Sequence, residues 1–127
     1  MKIKRFDHLV ITTADLAACV YFYTRVLGME HRESGGRHAL YFGGQKINIH
    51  VGKAQFLPAA KNPEFGSADF CLIASGPIES VKAEIEAAGW PVELGVVARS
   101  GALGSIRSVY VRDPDGNLVE IAEYVSV

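Results

Sequence analysis

His8, in the run Phe6-Asp7-His8-Leu9-Val10-Ile11, and Glu120, in Leu118-Val119-Glu120-Ile121, each place one electron-donating side chain on an otherwise apolar segment. His50, in Ile47-Asn48-Ile49-His50-Val51, adds a third. Two imidazoles and a carboxylate suit a divalent metal that keeps positions open. Such an ion polarises a carbonyl as a Lewis acid or brings the pKa of bound water to about 7. A carboxylate on an apolar strand is costly to bury without a cation or hydrogen-bond donors, so Glu120 predicts a partner. His31 and His38 lie in a polar stretch and read as solvated surface residues.

The elements that must carry these residues occur twice in the same order. In the first half, 6–12 reads as a strand and 15–27 as a helix, with Leu16, Val20, Tyr23 and Leu27 at helical spacing and Gly28 as its stop. Strands follow near 29–33, 37–42 and 46–51, the last two joined by a hairpin turn at Gly43-Gly44. In the second half, 68–74 matches the first strand, and Pro77 opens a helix carrying Ile78, Val81, Ile85 and Ala88, stopped at Gly89. Strands near 92–94, 106–112 and 118–125 complete it. Asp113-Pro114-Asp115-Gly116 has Pro at the second and Gly at the fourth position of a type I turn, and reads as structural. Each half is therefore βαβββ. Residues 52–67, with Pro58, Pro63 and Gly66, read as the connection between halves. Residues 98–105 read as a loop without counterpart in the first half and as a candidate substrate cover.

The chain has 127 residues and a net charge of −1. That length predicts one domain, 1–127, able to bury about two-thirds of its unfolded surface. The mean hydropathy is +0.15, and no apolar run reaches the ~18–20 residues of a membrane span. No basic block offers the counterion release on which nucleic-acid binding depends. Met1-Lys2-Ile3-Lys4-Arg5 leads into no apolar stretch, so no signal peptide is read and the cytoplasm is the expected location. Cys19 and Cys71 form no C-x-x-C and read as buried free thiols.

The repeated halves, Asp7-His8-Leu9-Val10, Phe22-Tyr23 with Val26-Leu27-Gly28, and Asp113-Pro114-Asp115-Gly116-Asn117-Leu118-Val119-Glu120 together resemble the vicinal oxygen chelate superfamily, which includes glyoxalases, bleomycin-resistance proteins and extradiol dioxygenases. Gln45-Lys46-Ile47-Asn48-Ile49-His50, Gly66-Ser67-Ala68-Asp69-Phe70-Cys71 and Arg99-Ser100-Gly101-Ala102 look like its small glyoxalase-domain-containing, virulence-protein-like members. The resemblance implies an α+β fold in which two βαβββ modules, 1–52 and 67–127 with linker 53–66, form an open eight-stranded, cup-like mixed sheet with helices outside.

It also implies metal ligands on the first and last strands of each module. Carried over, these are His8 and Glu120, with Glu120 also the catalytic base. The last strand of the first module offers Asn48 and His50, two apart on one sheet face. Aligning the halves sets Asn48 against Glu120, whereas ligand chemistry favours His50, which is taken as the third ligand with Asn48 as a substrate contact. Where many relatives place a second-half histidine, this chain has Asp69-Phe70-Cys71. Phe70 cannot bind metal, and Asp69 becomes a donor only if the strand is one residue out of phase with that alignment. Asp69, Arg99 and Arg107 are otherwise expected to contact substrate, while Arg112 is expected to pair with Asp113 or Asp115. The implied protein is a homodimer with a divalent ion (Fe, Mn, Ni or Zn), acting as a glyoxalase-type lyase or isomerase on a small oxygen-rich molecule, thiol conjugates included. The alternatives are a metal-free binding protein of the bleomycin-resistance kind, a fosfomycin-resistance-like thiol transferase and a ring-opening dioxygenase.

Overall fold

The computed structural model describes residues 1–125, which divide into two compact units, 1–67 and 68–125. In the first, β1 (His8–Thr13) leads into α1 (Leu16–Tyr21), which runs on as a π-helical turn over Phe22–Val26. The strands β2 (Glu30–Ser34), β3 (Arg37–Phe42) and β4 (Gln45–Val51) follow. Asp15 caps α1 by accepting from Ala18 N at 3.1 Å. Gly28, at φ 74°, ends the helical segment where a residue with a Cβ would be strained. The sheet order is β1-β4-β3-β2, with β1 parallel to β4 and the other pairs antiparallel.

The second unit repeats this plan with β5 (Asp69–Ile73), α2 (Ile78–Ala87), β6 (Leu94–Gly101), β7 (Gly104–Arg112) and β8 (Leu118–Tyr124), in the order β5-β8-β7-β6. The fold is α+β with paired βαβββ modules, as expected, and its eight strands are divided into two mixed sheets of four. Period-two alternation sorts each sheet into an apolar and a polar face. In the first module, Ile11, Leu40, Ile47 and Ile49 are buried, together with Cys19, Phe22, Tyr23 and Val26 of the helical segment. In the second, Val109, Val111, Val119 and Ile121 are buried with Ile78 and Ile85 of α2.

Two expectations need correction. Residues 98–105 are not a loop, because Arg99 and Ser100 pair with Ile106 and Ser105, and Gly101 pairs with Gly104 across a tight hairpin. The glycines make a sharp turn there, and the β2–β3 hairpin at Gly35-Gly36 is its counterpart in the first module. His31 and His38 lie on strands β2 and β3, within the expected strand ranges, His31 exposed and His38 half-buried. Cys19 is a buried free thiol as expected, but Cys71 is exposed.

The turn after β7 tethers the second module. Asp113, 3% exposed, accepts from Asp115 N at 3.0 Å, Asn117 N at 2.9 Å and Asn117 Nδ2 at 2.7 Å. Asn117 Oδ1 in turn accepts from Ala68 N at 2.9 Å, holding the start of β5 against β8. Asp113→Ala would strand buried donors, and each unsatisfied group costs about 1–3 kcal/mol. A loss of about 3 kcal/mol in unfolding free energy is expected by denaturant titration, against less than about 0.5 kcal/mol for the surface change Glu86→Ala.

Candidate functional site

The register fixes which of the expected residues share a face. Paired residues in a ladder point to the same side, so His8 lies with Lys46, Val10 with Asn48 and Thr12 with His50. In the second module Asp69 lies with Leu118, Cys71 with Glu120 and Ile73 with Ala122. Superposing the two ladders therefore makes His8 equivalent to Asp69, and Asn48 equivalent to Glu120. Phe70 pairs with Val119 on the other face, so Asp69 and not Phe70 stands in the phase of Glu120.

His8 and His50 share a face but sit four register steps apart, about 13 Å along the strands at about 3.3 Å per residue. Asn48 is half as far from His8. Among the described residues no group of three or more His, Cys, Asp or Glu side chains is closed up into a ready-made metal cage.

Two of the expected donors have a supporting hydrogen bond that sequence reading missed. His8 Nδ1 donates to Asp7 Oδ2 at 2.8 Å, and that bond, with the nearby charges of His8, Arg5 and Lys46, holds the Asp7 carboxyl below its ordinary range. An ionised carboxylate only accepts, so the shared proton sits on Nδ1, which leaves Nε2 as the nitrogen that faces any ligand. Fully buried Ser108, on β7, donates from Oγ to Glu120 Oε2 at 2.6 Å. Ser108 is legible only in retrospect, through the pairing of Ser108 with Ala122 and Tyr110 with Glu120, which puts it in the phase of Glu120.

His50 occupies a groove of about 310 Å³ in the first module, lined by Arg32, Arg37, Tyr41, Asn48 and Phe56. Its ring meets Phe56 edge-on, with centroids 5.5 Å apart. The Arg37 guanidinium lies 4.0 Å over the Phe56 ring. Burial, and then the charge of Arg37, pushes the His50 pKa down. A histidine lowered on folding binds fewer protons than the unfolded chain, so its stabilising effect is full above pH 6.5 and lost as pH falls below that value. Arg37→Ala is expected to move the His50 titration, followed through its Cε1 proton by NMR, to higher pH; an unmoved midpoint would remove Arg37 as a cause.

The arginines divide. Arg99 Nε donates to the Tyr110 hydroxyl at 3.1 Å, and Tyr110 pairs with Glu120, so Arg99 reaches the Glu120 face. Arg107 alternates with Ser108 on β7 and ion-pairs with Glu79 of α2 at 2.6 Å, which puts it on the helix side, away from Glu120. Arg112 pairs with Glu93 through Nε and Nη2 at 3.1 and 3.2 Å, not with Asp113 or Asp115 as expected, because Glu93 immediately precedes β6 and its backbone N donates to Tyr110 O.

Residues 5–121 match the family described as the Glyoxalase/Bleomycin resistance protein/Dioxygenase superfamily. The chain is 49% identical to virulence protein STM3117 of Salmonella typhimurium over 98% of its own length and 88% of that protein's. The crystal structure of STM3117 superposes with a TM-score of 0.95, covering 98% of this chain and 100% of that one. The glyoxalase domain-containing protein RDO1 of Mycosarcoma maydis is 44% identical, over 98% of this chain and 70% of that protein. Lactoylglutathione lyase from Agrobacterium tumefaciens is 26% identical with a TM-score of 0.72, over 96% of this chain and 95% of that one. With its paired βαβββ modules and a matching profile across nearly its whole length, this chain belongs to the glyoxalase/bleomycin resistance/dioxygenase superfamily.

Proposed function

We propose that this chain is a metal-dependent enzyme of the glyoxalase type, a lyase or isomerase acting on a small oxygen-rich substrate, with thiol conjugates in its range. The observation that carries the reading is the pair of supported donors, His8 backed by Asp7 and Glu120 backed by Ser108. Metal-binding histidines and carboxylates characteristically carry such an outer hydrogen bond, which fixes the tautomer and orientation of the donor atom. The ladder equivalence adds Asp69 as the third donor and Asn48 as the fourth equivalent position. His50, which ligand chemistry alone favours as a donor, is assigned instead to the substrate with Arg37, because both line the same groove. This donor set is rich in oxygen, which suits Mn or Fe better than the softer-ligand ions.

Held by His8, Asp69 and Glu120, the ion would supply Lewis acidity to a substrate carbonyl. The chain does the rest. Glu120, with Oε2 held by Ser108, would take the proton from the hydroxyl-bearing carbon next to a substrate carbonyl and return it to the carbonyl carbon, while the hydroxyl proton passes to the former carbonyl oxygen, so that the hydroxycarbonyl is isomerised with no net gain or loss. His50, its pKa lowered, remains a neutral imidazole at pH 7 and can share a hydrogen bond with substrate oxygen. Arg37 supplies positive charge to the same groove. We further propose that the working form is a cytoplasmic homodimer, as closed twofold pairs dominate oligomers; light scattering should give twice the 13.7 kDa of the chain.

The test is turnover of α-hydroxycarbonyl and thiol-conjugate substrates by protein stripped with chelator and reloaded with Mn, Fe, Ni or Zn. Turnover that returns with one of these ions and is lost in Glu120→Gln with the ion still bound supports the reading. Tight binding of a small molecule with no ion bound and no turnover would replace it with the metal-free binding protein.

A further inference from the structure

Behind the face that carries His8 and His50, the first sheet brings two other imidazoles together. His31 on β2 and His38 on β3 approach through Nε2 and Nδ1 at 2.9 Å, with ring centroids 5.1 Å apart and planes 12° from parallel. His38 pairs with Ile49 and His31 with buried Leu40, so both lie on the apolar side of the sheet, opposite His50. We propose that this pair is a second metal site, taking Cu²⁺ or Ni²⁺ with water in the remaining positions.

The donor chemistry selects the ion. Two nitrogens at about 2.0–2.1 Å from one centre lie about 2.9 Å apart at a right angle and about 3.4 Å apart at the tetrahedral angle. The observed spacing is that of the N–H···N hydrogen bond between the rings, short enough for both nitrogens to reach one ion, and Cu²⁺ is the divalent ion that nitrogen donors hold most strongly, with Ni²⁺ sharing its tetragonal preference. In the metal-free pair one ring donates its N–H to the other. For both to bind, the donor ring moves that proton to its other nitrogen, so the two rings stay neutral and each presents one lone pair. Near-parallel rings do not yet aim their lone pairs at one point, but the Cβ–Cγ torsion of histidine is broad and a modest turn of each ring makes them converge.

The surroundings permit this. Neither histidine is engaged in an ion pair among the described residues. Glu33 lies opposite His38 in register and adds negative charge, although its Oε1 is held by Gly36 N at 2.8 Å. Arg25 lines the groove beside His31 and opposes a cation. The hairpin at Gly35-Gly36 fixes the two strands relative to each other, so the pair is held before any ion arrives. Binding would staple β2, an edge strand exposed along its whole length that also carries Arg32 of the His50 groove, to β3.

The experiment is electron paramagnetic resonance of chelator-stripped protein titrated with one equivalent of Cu²⁺, on the parent chain and on His31→Gln, His38→Gln, His8→Ala and Glu120→Ala. A tetragonal Cu²⁺ signal with hyperfine splitting from two nitrogens, absent in both glutamine variants and kept in His8→Ala and Glu120→Ala, is the expected result. The same signal in His31→Gln and His38→Gln, or its loss in His8→Ala alone, overturns the proposal. Should a glutamine variant fail to fold, diethyl pyrocarbonate labelling of the parent decides the matter. Copper should protect His31 and His38 at least tenfold, and equal labelling with and without copper overturns it.

Discussion

Chelator-stripped protein reloaded with Mn²⁺ is expected to retain one ion per chain after dialysis, and to retain none in His8→Ala, Asp69→Ala or Glu120→Ala, while His50→Ala stays loaded. Elemental analysis reads this directly. The pattern separates the ladder equivalence from ligand chemistry. If Asp69→Ala keeps its ion and His50→Ala loses it, the imidazole pair is the true set and the register argument fails. The supporting residues should produce graded effects. Ser108→Ala leaves Glu120 in place but removes the hydrogen bond to Oε2, and Asp7→Asn removes the ionised acceptor that holds the His8 proton on Nδ1. Each is expected to weaken ion affinity about ten- to hundredfold without abolishing it, the usual range for outer partners of metal ligands. A loss of ion as complete as in Glu120→Ala would instead show that Ser108 holds the strand pair together rather than the carboxylate. Calorimetric affinity and the unfolding midpoint of the metal-free protein tell the two apart, since a structural role moves both.

The module plan was legible because its signals are local. Period-two alternation marks strands such as Ile47-Asn48-Ile49-His50, a stop glycine ends each helix, and Gly43-Gly44 joins β3 to β4 as expected. Where the sequence misled, the deciding interaction lay between strands. Residues 98–105 look like a loop because Arg99, Ser100, Gly101 and Gly104 are poor strand formers, yet pairing of β6 with β7 supplies what local propensity does not. The site follows the same rule. His8 and Glu120 stand out as single polar residues in apolar runs, whereas Ser108 acquires its meaning only when β7 is laid beside β8. The phase of Asp69 could not be settled by letters, because a slip of one residue exchanges it with Phe70; the pairing of Cys71 with Glu120 settles it. The surface position of His31 was legible, but seven positions of sequence hide the diagonal contact with His38 that the β2–β3 hairpin creates.

The Cys71 thiol reports on Glu120 without any substrate. Cys71 pairs with Glu120 across the β5–β8 ladder, and burial first, then the Glu120 charge, pushes its pKa up to about 11. Only the thiolate is nucleophilic, and an ordinary thiol has a pKa of about 8.5. At pH 7.5 Cys71 in metal-free protein should therefore be alkylated by iodoacetamide about two orders of magnitude more slowly than a model thiol, even though it is exposed. Buried Cys19 should stay silent until the chain unfolds. Raising the pH should accelerate labelling tenfold per unit up to about pH 10 and level off near 11. Glu120→Gln removes the negative charge and should lower the midpoint, though not to the ordinary value, because burial is the larger cause. An ion bound at Glu120 neutralises the same charge and should shift the labelling profile in the same direction. Mass-spectrometric labelling across pH, with and without Mn²⁺, thus tests the position of the metal from the second module alone: a profile indifferent to both Mn²⁺ and Glu120→Gln would place neither the charge nor the ion beside Cys71.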